Sequence, residues 1–434
     1  MEVAALAGLV LVVGIVVLLV LGVPVSVAVG MSAAAAAITA LGFENGLLTS
    51  AQQMFRGINN FSLLAIPFFV LAGVIMNNGG IALRLVNFAK MLVGRAPGSL
   101  AQTNVAANAM FGAVSGSAVA SVAAVGSTMG PLQARDGYPR DFAAATNIAS
   151  APSGMIIPPS NLMIVYSLVS STSIAALFMA GYVPGILWAV ICMVIVHLYA
   201  RKRPELRVTE RLSLSAGLRV AVEALPALML IVVVIGGILA GFFTPTEASC
   251  IAVVYSLVLA FVYRAIKVRD LAGILLESAR TTSIVMFLVG VSAAMSWVMS
   301  FAQIPQLVTD ALLSVTSNPY ALIVLIVVLL LFIGCFMDPT PAVLIFAPIF
   351  LPVVTAFGMD PVHFGIFMVM ALSIGTITPP VGPVLFVGAR VADMSIESIV
   401  RRMVPFFVAL VLLLLVVAMT PALSMWLPTV LGLV

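Results

Sequence analysis

Two hydroxyl groups flank a glycine in the segment Gly112-Ala-Val-Ser115-Gly116-Ser117, within a long run of small and apolar residues. Glycine permits an open turn, so hydroxyls and backbone carbonyls can point into a cavity instead of along a helix. Hard cations such as Na⁺ take oxygen ligands of this kind, and the free amides of a helix that starts beside the turn suit an anion. The segment therefore indicates a binding site, although small residues also serve close helix packing.

A single acid interrupts a second apolar run, Gly334-Cys-Phe-Met337-Asp338-Pro339-Thr340. A carboxylate within a membrane is costly, so such a residue is a functional candidate by default. Asp338 could bind a cation, carry a proton, or cap the helix that begins near Pro339. These three roles are compatible, and the sequence leaves them open.

Two further apolar segments are each broken by a Pro-Pro pair. Each proline removes a backbone donor and frees a carbonyl, which becomes a cation ligand if it faces a cavity. A simple proline kink is the alternative. We expect each turn described above to meet the nearer broken segment, which gives two cation sites. The candidate residues are Asn147, Pro152, Ser153, Gly154, Ser160 and Asn161 in the first segment and Gly375, Thr376, Thr378 and Gly382 in the second.

The composition identifies the environment of these motifs. Of the 434 residues, 63% are hydrophobic and only 8% are charged. This excludes a soluble enzyme, a nucleic-acid-binding protein and a disordered chain, and the continuous apolar runs exclude a membrane β-barrel. The prediction is an all-α polytopic membrane protein. Clear spans are predicted at 3–22, 25–42, 61–78, 175–199, 222–242, 246–265, 283–301 and 402–427.

An internal duplication is predicted from the prolines, which recur in pairs at one constant spacing along the chain. The first repeat covers 1–200 and the second 221–434, joined by a basic linker at 201–220. Each repeat contains a helical hairpin, at 100–130 and 320–357, and a broken helix, at 139–172 and 361–392. The matching prolines are Pro24 and Pro245, Pro131 and Pro352, Pro158-Pro159 and Pro379-Pro380, and Pro184 and Pro405.

The distribution of charge predicts the topology. If each hairpin enters and leaves on one side, each repeat crosses the membrane five times, so the second repeat is inverted, as in secondary transporters. With the N-terminus outside, eighteen of the 19 Lys and Arg residues fall on the cytoplasmic side and only Arg56 lies outside. Both termini are then periplasmic, the linker is cytoplasmic, and the first hairpin enters from the cytoplasm.

The remaining candidates are weaker. Glu247 follows a proline at a span start, where stabilisation of the helix dipole is the favoured role. Ser121 and Ser127 are assigned to packing. No Lys or Arg lies in a predicted membrane interior, so an anionic substrate would be held by hydroxyls, amides and sodium ions. The chain contains no Walker, nucleophile-elbow or HExxH motif, which argues against an ATPase or a membrane hydrolase.

Four motifs together resemble the large membrane (DctM-like) subunit of tripartite ATP-independent periplasmic (TRAP) transporters. They are GAVSGSAVAS at 112–121, PSGMIIPPSN at 152–161, FMDPTP at 336–341 and TITPPVGP at 376–383. The resemblance implies an elevator-type fold related to divalent-anion/sodium symporters, in which hairpins and broken helices move across a scaffold. It also implies sodium ligands at Ser115, Ser117 and the stretch 152–161, with Gly154 among them, for one site, and at Asp338, Thr340, Thr376 and Thr378 for another.

The resemblance implies partners as well: a small four-helix membrane subunit and a periplasmic substrate-binding protein. The resulting prediction is sodium-driven import of a small organic acid, such as a dicarboxylate, sialic acid or sugar acid, across the bacterial inner membrane. Two or more sodium ions and no organic cofactor are expected. A stand-alone sodium/anion symporter is the first alternative and a channel is the second.

Overall fold

The computed structural model describes residues 2–93, 96–203, 206, 214–316 and 318–434, and all regular secondary structure in these residues is helical. Nine of the described helices are long and apolar enough to cross a membrane. The chain is therefore a multi-pass membrane protein. Three charges used for the predicted topology, Arg95, Arg207 and Arg211, lie outside the described residues, as does most of the linker.

The first half contains eleven helices and one 3₁₀ turn, at Phe61–Leu64. Its predicted hairpin is a pair of helices joined by two residues, and its predicted broken helix is three shorter helices. The bounds are α1 Glu2–Val20, α2 Val25–Leu41, α3 Phe43–Ile58, α4 Ala65–Asn78, α5 Ile81–Val93, α6 Ser99–Ser115, α7 Ala118–Arg135, α8 Arg140–Ser150, α9 Ser153–Ile156, α10 Asn161–Ser170 and α11 Ile174–Arg201.

The second half, as described, contains ten helices and a 3₁₀ turn at Val268–Asp270. Here too a helix pair occupies the predicted hairpin, and two helices occupy the predicted broken segment. The bounds are α12 Leu214–Leu239, α13 Pro245–Val262, α14 Leu271–Phe301, α15 Ile304–Val315, α16 Pro319–Phe336, α17 Pro339–Ala356, α18 Pro361–Gly375, α19 Pro383–Ala392, α20 Ile396–Met419 and α21 Ala422–Val430.

The helix boundaries of the two halves follow the spacing of the prolines. The first residues of α7 and α17 are separated by the same interval as Pro24 and Pro245, and so are those of α8 and α18. One difference stands out: the region of α3, the 3₁₀ turn and α4 corresponds to the single long helix α14. The inverted relation of the two halves stays a prediction.

The helices pack into two groups. The outer group consists of α1–α4 and α12–α14, which pack mainly on one another. The inner group consists of the hairpins, the broken segments, α11, α20 and α21. Helix α18 lies at its centre, with every residue from Val362 to Gly375 buried. Two amphipathic helices join the groups, since α5 contacts both α6 and α12, and α15 contacts both α14 and α17.

The last predicted span, 402–427, differs from the structure. Helix α20 ends at Met419 and α21 begins at Ala422, because Pro421 cannot continue the helix. The short α21 packs against α11 and α18. His363 of α18 fixes it there: the ring nitrogens of His363 lie 2.7 Å from Ser424 Oγ and 3.1 Å from the Ala418 carbonyl oxygen.

Candidate functional site

The tip of the first hairpin is an open turn, as its sequence predicts. Gly116 adopts the left-handed conformation with φ of 64°, which ends α6 and favours glycine. Ser117 follows in extended conformation as the N-cap of α7, where its hydroxyl accepts a 3.2 Å hydrogen bond from the Ala120 amide. The tip therefore presents hydroxyl oxygens and a helix N-terminus at one point.

The tip of the second hairpin uses a carboxylate in the corresponding position. Asp338 is the N-cap of α17, and its Oδ1 accepts a 3.1 Å hydrogen bond from the Thr340 amide. Pro339 occupies the first helical position, where no backbone donor is needed. The capping role considered for Asp338 is thus confirmed. The same residue remains exposed, so its other oxygen is available to a ligand.

Each hairpin meets the broken segment of its own half at a pair of glycines. A Cβ placed on Gly112 would lie 2.6 Å from the Cα of Gly154, and one on Gly334 would lie 3.0 Å from the Cα of Gly375. A Cβ on Gly154 or Gly375 would overlap the opposing backbone outright. Backbones at this separation leave no room for a side chain. The expected meeting of each tip with its own broken segment is confirmed, and these four glycines serve helix-to-helix contact.

The first broken segment changes direction between Ser150 and Asn161. Ser153 Oγ donates a 2.7 Å hydrogen bond to the Ser150 carbonyl. Ser160 donates to the Met155 carbonyl and caps α10. Pro152 immediately precedes α9. Pro159 leaves the Met155 carbonyl without a helical donor, and the Ser160 hydroxyl takes that place. Both hydroxyls therefore satisfy backbone carbonyls inside the break, which is a built structure and not a simple kink.

The second broken segment is held by two threonines. Thr376 Oγ1 donates to the Ser373 carbonyl and Thr378 Oγ1 donates to the Ile374 carbonyl, both at 2.7 Å. Gly382, with φ of 50°, donates its amide to the Cys335 carbonyl at 2.9 Å, which ties the break to the second hairpin. A hydroxyl that donates its proton keeps lone pairs that can bind a cation.

A cavity of about 300 Å³ lies where these parts converge. Both hairpin tips and both broken segments line it, and α4 and α14 of the outer group close the remaining side. The lining includes seven predicted residues: Gly116, Ser117, Asn161, Asp338, Pro339, Thr340 and Thr376. We call it the central cavity.

The other predicted residues do not line the central cavity. Ser115 is the last residue of α6, and its hydroxyl is 3.4 Å from the Ser117 amide nitrogen. Asn147 lines a different cavity. Met337 ends α16 in extended conformation. The remaining predicted residues outside the lining are Gly112, Pro152, Ser153, Gly154, Ser160, Gly334, Gly375, Thr378 and Gly382.

Two groups of residues were missed by sequence reasoning. One is the outer wall of the central cavity, where Thr281 is the polar member beside apolar side chains of α4 and α14. The other is a buried amide cluster between the first hairpin and α8, centred on Asn108. Amides at positions 104 and 108 within an apolar helix were the available signal for the cluster, whereas nothing distinguishes Thr281 in the sequence.

The lining of the central cavity defines what it can bind. Its oxygen atoms come from one carboxylate, several hydroxyls and the Asn161 amide, and none of the lining residues is Lys, Arg, His or Cys. Among the described residues there is also no cluster of three His, Cys, Asp or Glu side chains. Such a donor set suits a hard monovalent cation better than a transition metal.

Comparison with known proteins identifies the family. The pattern of the family described as "Tripartite ATP-independent periplasmic transporter, DctM component" matches residues 12–423. The chain belongs to this family. It is a transporter subunit and not an enzyme.

Relatives of the chain in this family match almost its whole length. It is 53% identical to "Uncharacterized protein YgiK" of Salmonella typhimurium, with 92% of each chain covered. It is 40% identical to the "C4-dicarboxylate TRAP transporter large permease protein DctM" of Pseudomonas aeruginosa, with 92% of this chain and 93% of that protein covered.

A solved structure supports the fold of this DctM-family chain. The YdaH transporter of Alcanivorax borkumensis superposes with a TM-score of 0.62 at 16% sequence identity, over 90% of each chain. At this identity the similarity concerns the fold alone.

Proposed function

We propose that this chain is the permease through which a small organic acid enters the cell across the bacterial inner membrane, driven by a sodium gradient. The central cavity carries the proposal, since it joins both hairpin tips and both broken segments to the outer helices. A periplasmic binding protein delivers the substrate, and a small four-helix membrane subunit braces the outer group. The C4-dicarboxylate named for the Pseudomonas relative supports a carboxylate substrate.

The cavity lining gives the two ligands different roles. Sodium ions bind to oxygens of the tips and broken segments, with Asp338, Thr340 and Thr376 on one side and Ser117 on the other. The substrate's carboxylate has no arginine or lysine to pair with in this cavity. Sodium therefore supplies the positive charge, and hydroxyls and amides supply the hydrogen bonds, which couples the two binding events.

The packing supports an elevator movement of the inner group. The glycine contacts bind each hairpin to its broken segment at backbone distance. The inner group therefore moves as one unit, while α5 and α15 follow it along the outer group. Both termini are periplasmic in this proposal, and the halves are inverted repeats.

Uptake in proteoliposomes tests the function. The chain is reconstituted with its small subunit, and the binding protein is added with a radiolabelled C4-dicarboxylate, with or without an inward sodium gradient. We expect uphill accumulation only when both the gradient and the binding protein are present.

Two other outcomes would identify a different kind of transport protein. Accumulation without the binding protein would identify a stand-alone sodium/anion symporter. Equilibration without accumulation would identify a channel. A matched preparation of Asp338→Asn, in which asparagine keeps the helix cap but removes the charge, should lose sodium-driven accumulation. Full accumulation in this variant would contradict the sodium site.

A further inference from the structure

A second cavity, of about 370 Å³, lies at the open end of the first hairpin. It is formed by α6, α7, α8 and α19, and none of its lining residues lines the central cavity. We call it the basal cavity. Its polar lining residues are Asn104, Ser127, Gln133, Tyr138, Arg140 and Asn147.

A hydrogen-bond cluster beside this cavity fixes the orientation of each amide. The Val122 carbonyl can only accept, so Asn147 presents its Nδ2 to it, at 2.8 Å. The Oδ1 of Asn147 then faces Asn108 and accepts from its Nδ2 at 3.0 Å. With Asn108 in this orientation, the Ser121 hydroxyl donates to Asn108 Oδ1 at 2.8 Å.

This cluster leaves one strong donor free. Asn108 Nδ2 lies 2.8 Å from Ser150 Oγ and 3.0 Å from Asn104 Oδ1, so the oxygen of Asn104 faces Asn108 and the Nδ2 of Asn104 points away from it. Asn104 is fully buried, and its Nδ2 has no hydrogen-bond partner among the described residues. A buried N–H group without a partner costs free energy, and a bound acceptor removes that cost.

The remaining lining favours a negatively charged acceptor with an apolar body. Arg140 is exposed and forms no ion pair with any residue that the structure describes. No lining residue is acidic. Burial raises the pKa of Tyr138 to about 12, so its phenol stays neutral. Ala143, Ala144 and Val391 form part of the apolar wall.

The basal cavity is particular to the first half. When the proline spacing is used to match the halves, the positions that correspond to its polar lining residues carry apolar side chains or proline. Asn104 corresponds to Leu325, Gln133 to Val354, Tyr138 to Met359, Arg140 to Pro361 and Asn147 to Met368. The polar groups are therefore not a property that the two halves share.

We propose that the basal cavity binds a small organic carboxylate, held by the Asn104 amide and attracted by the Arg140 guanidinium, with its apolar part against the alanine wall. Amide and guanidinium N–H groups are good partners for a carboxylate, and the volume lies within the range of small-molecule pockets. The site needs no sodium, so it stands independently of the transport mechanism proposed above. In the predicted topology its ligand comes from the cytoplasm.

Fluorine NMR of the full chain in lipid nanodiscs tests this site with 4-fluorobenzoate as the probe. Line broadening is titrated in sodium and in choline buffers, with empty nanodiscs and the neutral 4-fluorobenzamide as controls. We expect saturable binding of the carboxylate, equal in both buffers, and no saturable binding of the amide.

Two variants remove the proposed contacts. Asn104→Asp keeps the acceptor for Asn108 but replaces the free donor by a carboxylate oxygen, and Arg140→Gln removes the charge at the exposed end. Each should weaken binding about tenfold or more, equivalent to about 1.4 kcal/mol or more. Arg140 is exposed, so Arg140→Gln stays informative even if Asn104→Asp does not fold.

Two matched variants serve as controls. Arg135→Gln removes an arginine of α7 that does not line the cavity, and Thr340→Ala alters the central cavity. Neither should change binding. Wild-type affinity in Arg140→Gln, loss of binding in Thr340→Ala, or equal competition by inorganic phosphate and unlabelled benzoate would each overturn the proposal.

Discussion

The two hairpins share their spacing and their glycine contacts but differ in how their arms are held. In the first hairpin, α6 and α7 pack closely on each other, and the Asn108 cluster bridges them. In the second, α16 packs on α18 far more than on α17. The first hairpin is thus stabilised internally by polar contacts, whereas the second depends on the apolar centre of the inner group.

The largest predicted effect concerns the glycine contact that each hairpin makes with its broken segment. Gly154→Ala and Gly375→Ala each place a Cβ against a backbone carbon of the hairpin, with no space between them. Because backbone cannot yield as a side chain can, we expect each variant to lose about 3 kcal/mol or more and to abolish uptake. Thermal unfolding and uptake measure this. Gly273→Ala is the control, because a Cβ at Gly273 would have no atom within 4 Å. Near-wild-type stability of Gly154→Ala or Gly375→Ala would contradict the backbone contact.

The second prediction compares the helix-capping residues of the two hairpin tips, Asp338 and Ser117. Asp338→Ala loses both the cap and the charge, while Asp338→Asn loses only the charge. We expect uptake to fail in both, and stability to fall by about 1 kcal/mol only in the alanine variant. At the first tip, Ser117→Ala should cost a similar amount of stability, and Ser117→Asn should restore it. The sodium dependence of uptake and the melting temperature distinguish these effects. Equal stability of Asp338→Ala and Asp338→Asn would argue against the cap.

A third prediction concerns the polar cluster that holds the first hairpin. Asn108→Leu leaves the buried groups of Asn147 and Ser121 without their partner, so we expect a loss of about 2–3 kcal/mol. Asn104→Leu, which removes one bond of the cluster together with the free donor, should cost less and serves as the control. Unfolding in detergent measures both. If Asn108→Leu were as stable as wild type, the polar cluster would not hold the first hairpin.

The smallest effect concerns a single hydroxyl. Ser121→Ala removes one hydrogen bond to Asn108 Oδ1 and should cost about 1 kcal/mol. Ala342 is the corresponding position of the second hairpin by the spacing of the prolines. Ala342→Ser can satisfy its new hydroxyl on a carbonyl of its own helix, so it should cost less than Ser121→Ala. If unfolding measurements showed a larger loss of stability for Ala342→Ser than for Ser121→Ala, the two hairpins would be held in the same way.

The parts of the fold that could be predicted are those with a local signal. Prolines and glycines broke the apolar pattern at Ser115–Ser117, Asp338 and both Pro-Pro pairs, because these residues constrain the backbone wherever they occur. Seven of the residues chosen for these reasons line the central cavity.

The parts that were missed depend on contacts between distant segments. Helix packing determines which glycine lies opposite Gly154. It also determines which side chains bind an amide such as that of Asn108. The outer wall at Thr281 exists only because α14 lies beside the hairpin tips. The separate helix α21 follows from Pro421, a signal that was present but was absorbed into one long apolar span.

The polarity of α6 also bears on how the chain enters the membrane during synthesis. Helices α16 and α17 are each long and apolar enough to cross a membrane, whereas α6, with Gln102, Thr103, Asn104 and Asn108, is shorter and more polar. We expect the ribosome-bound chain to hold α6 at the translocon until α7 and α8 emerge to bind its amides. The first hairpin would then be inserted as an assembled unit, and the second helix by helix.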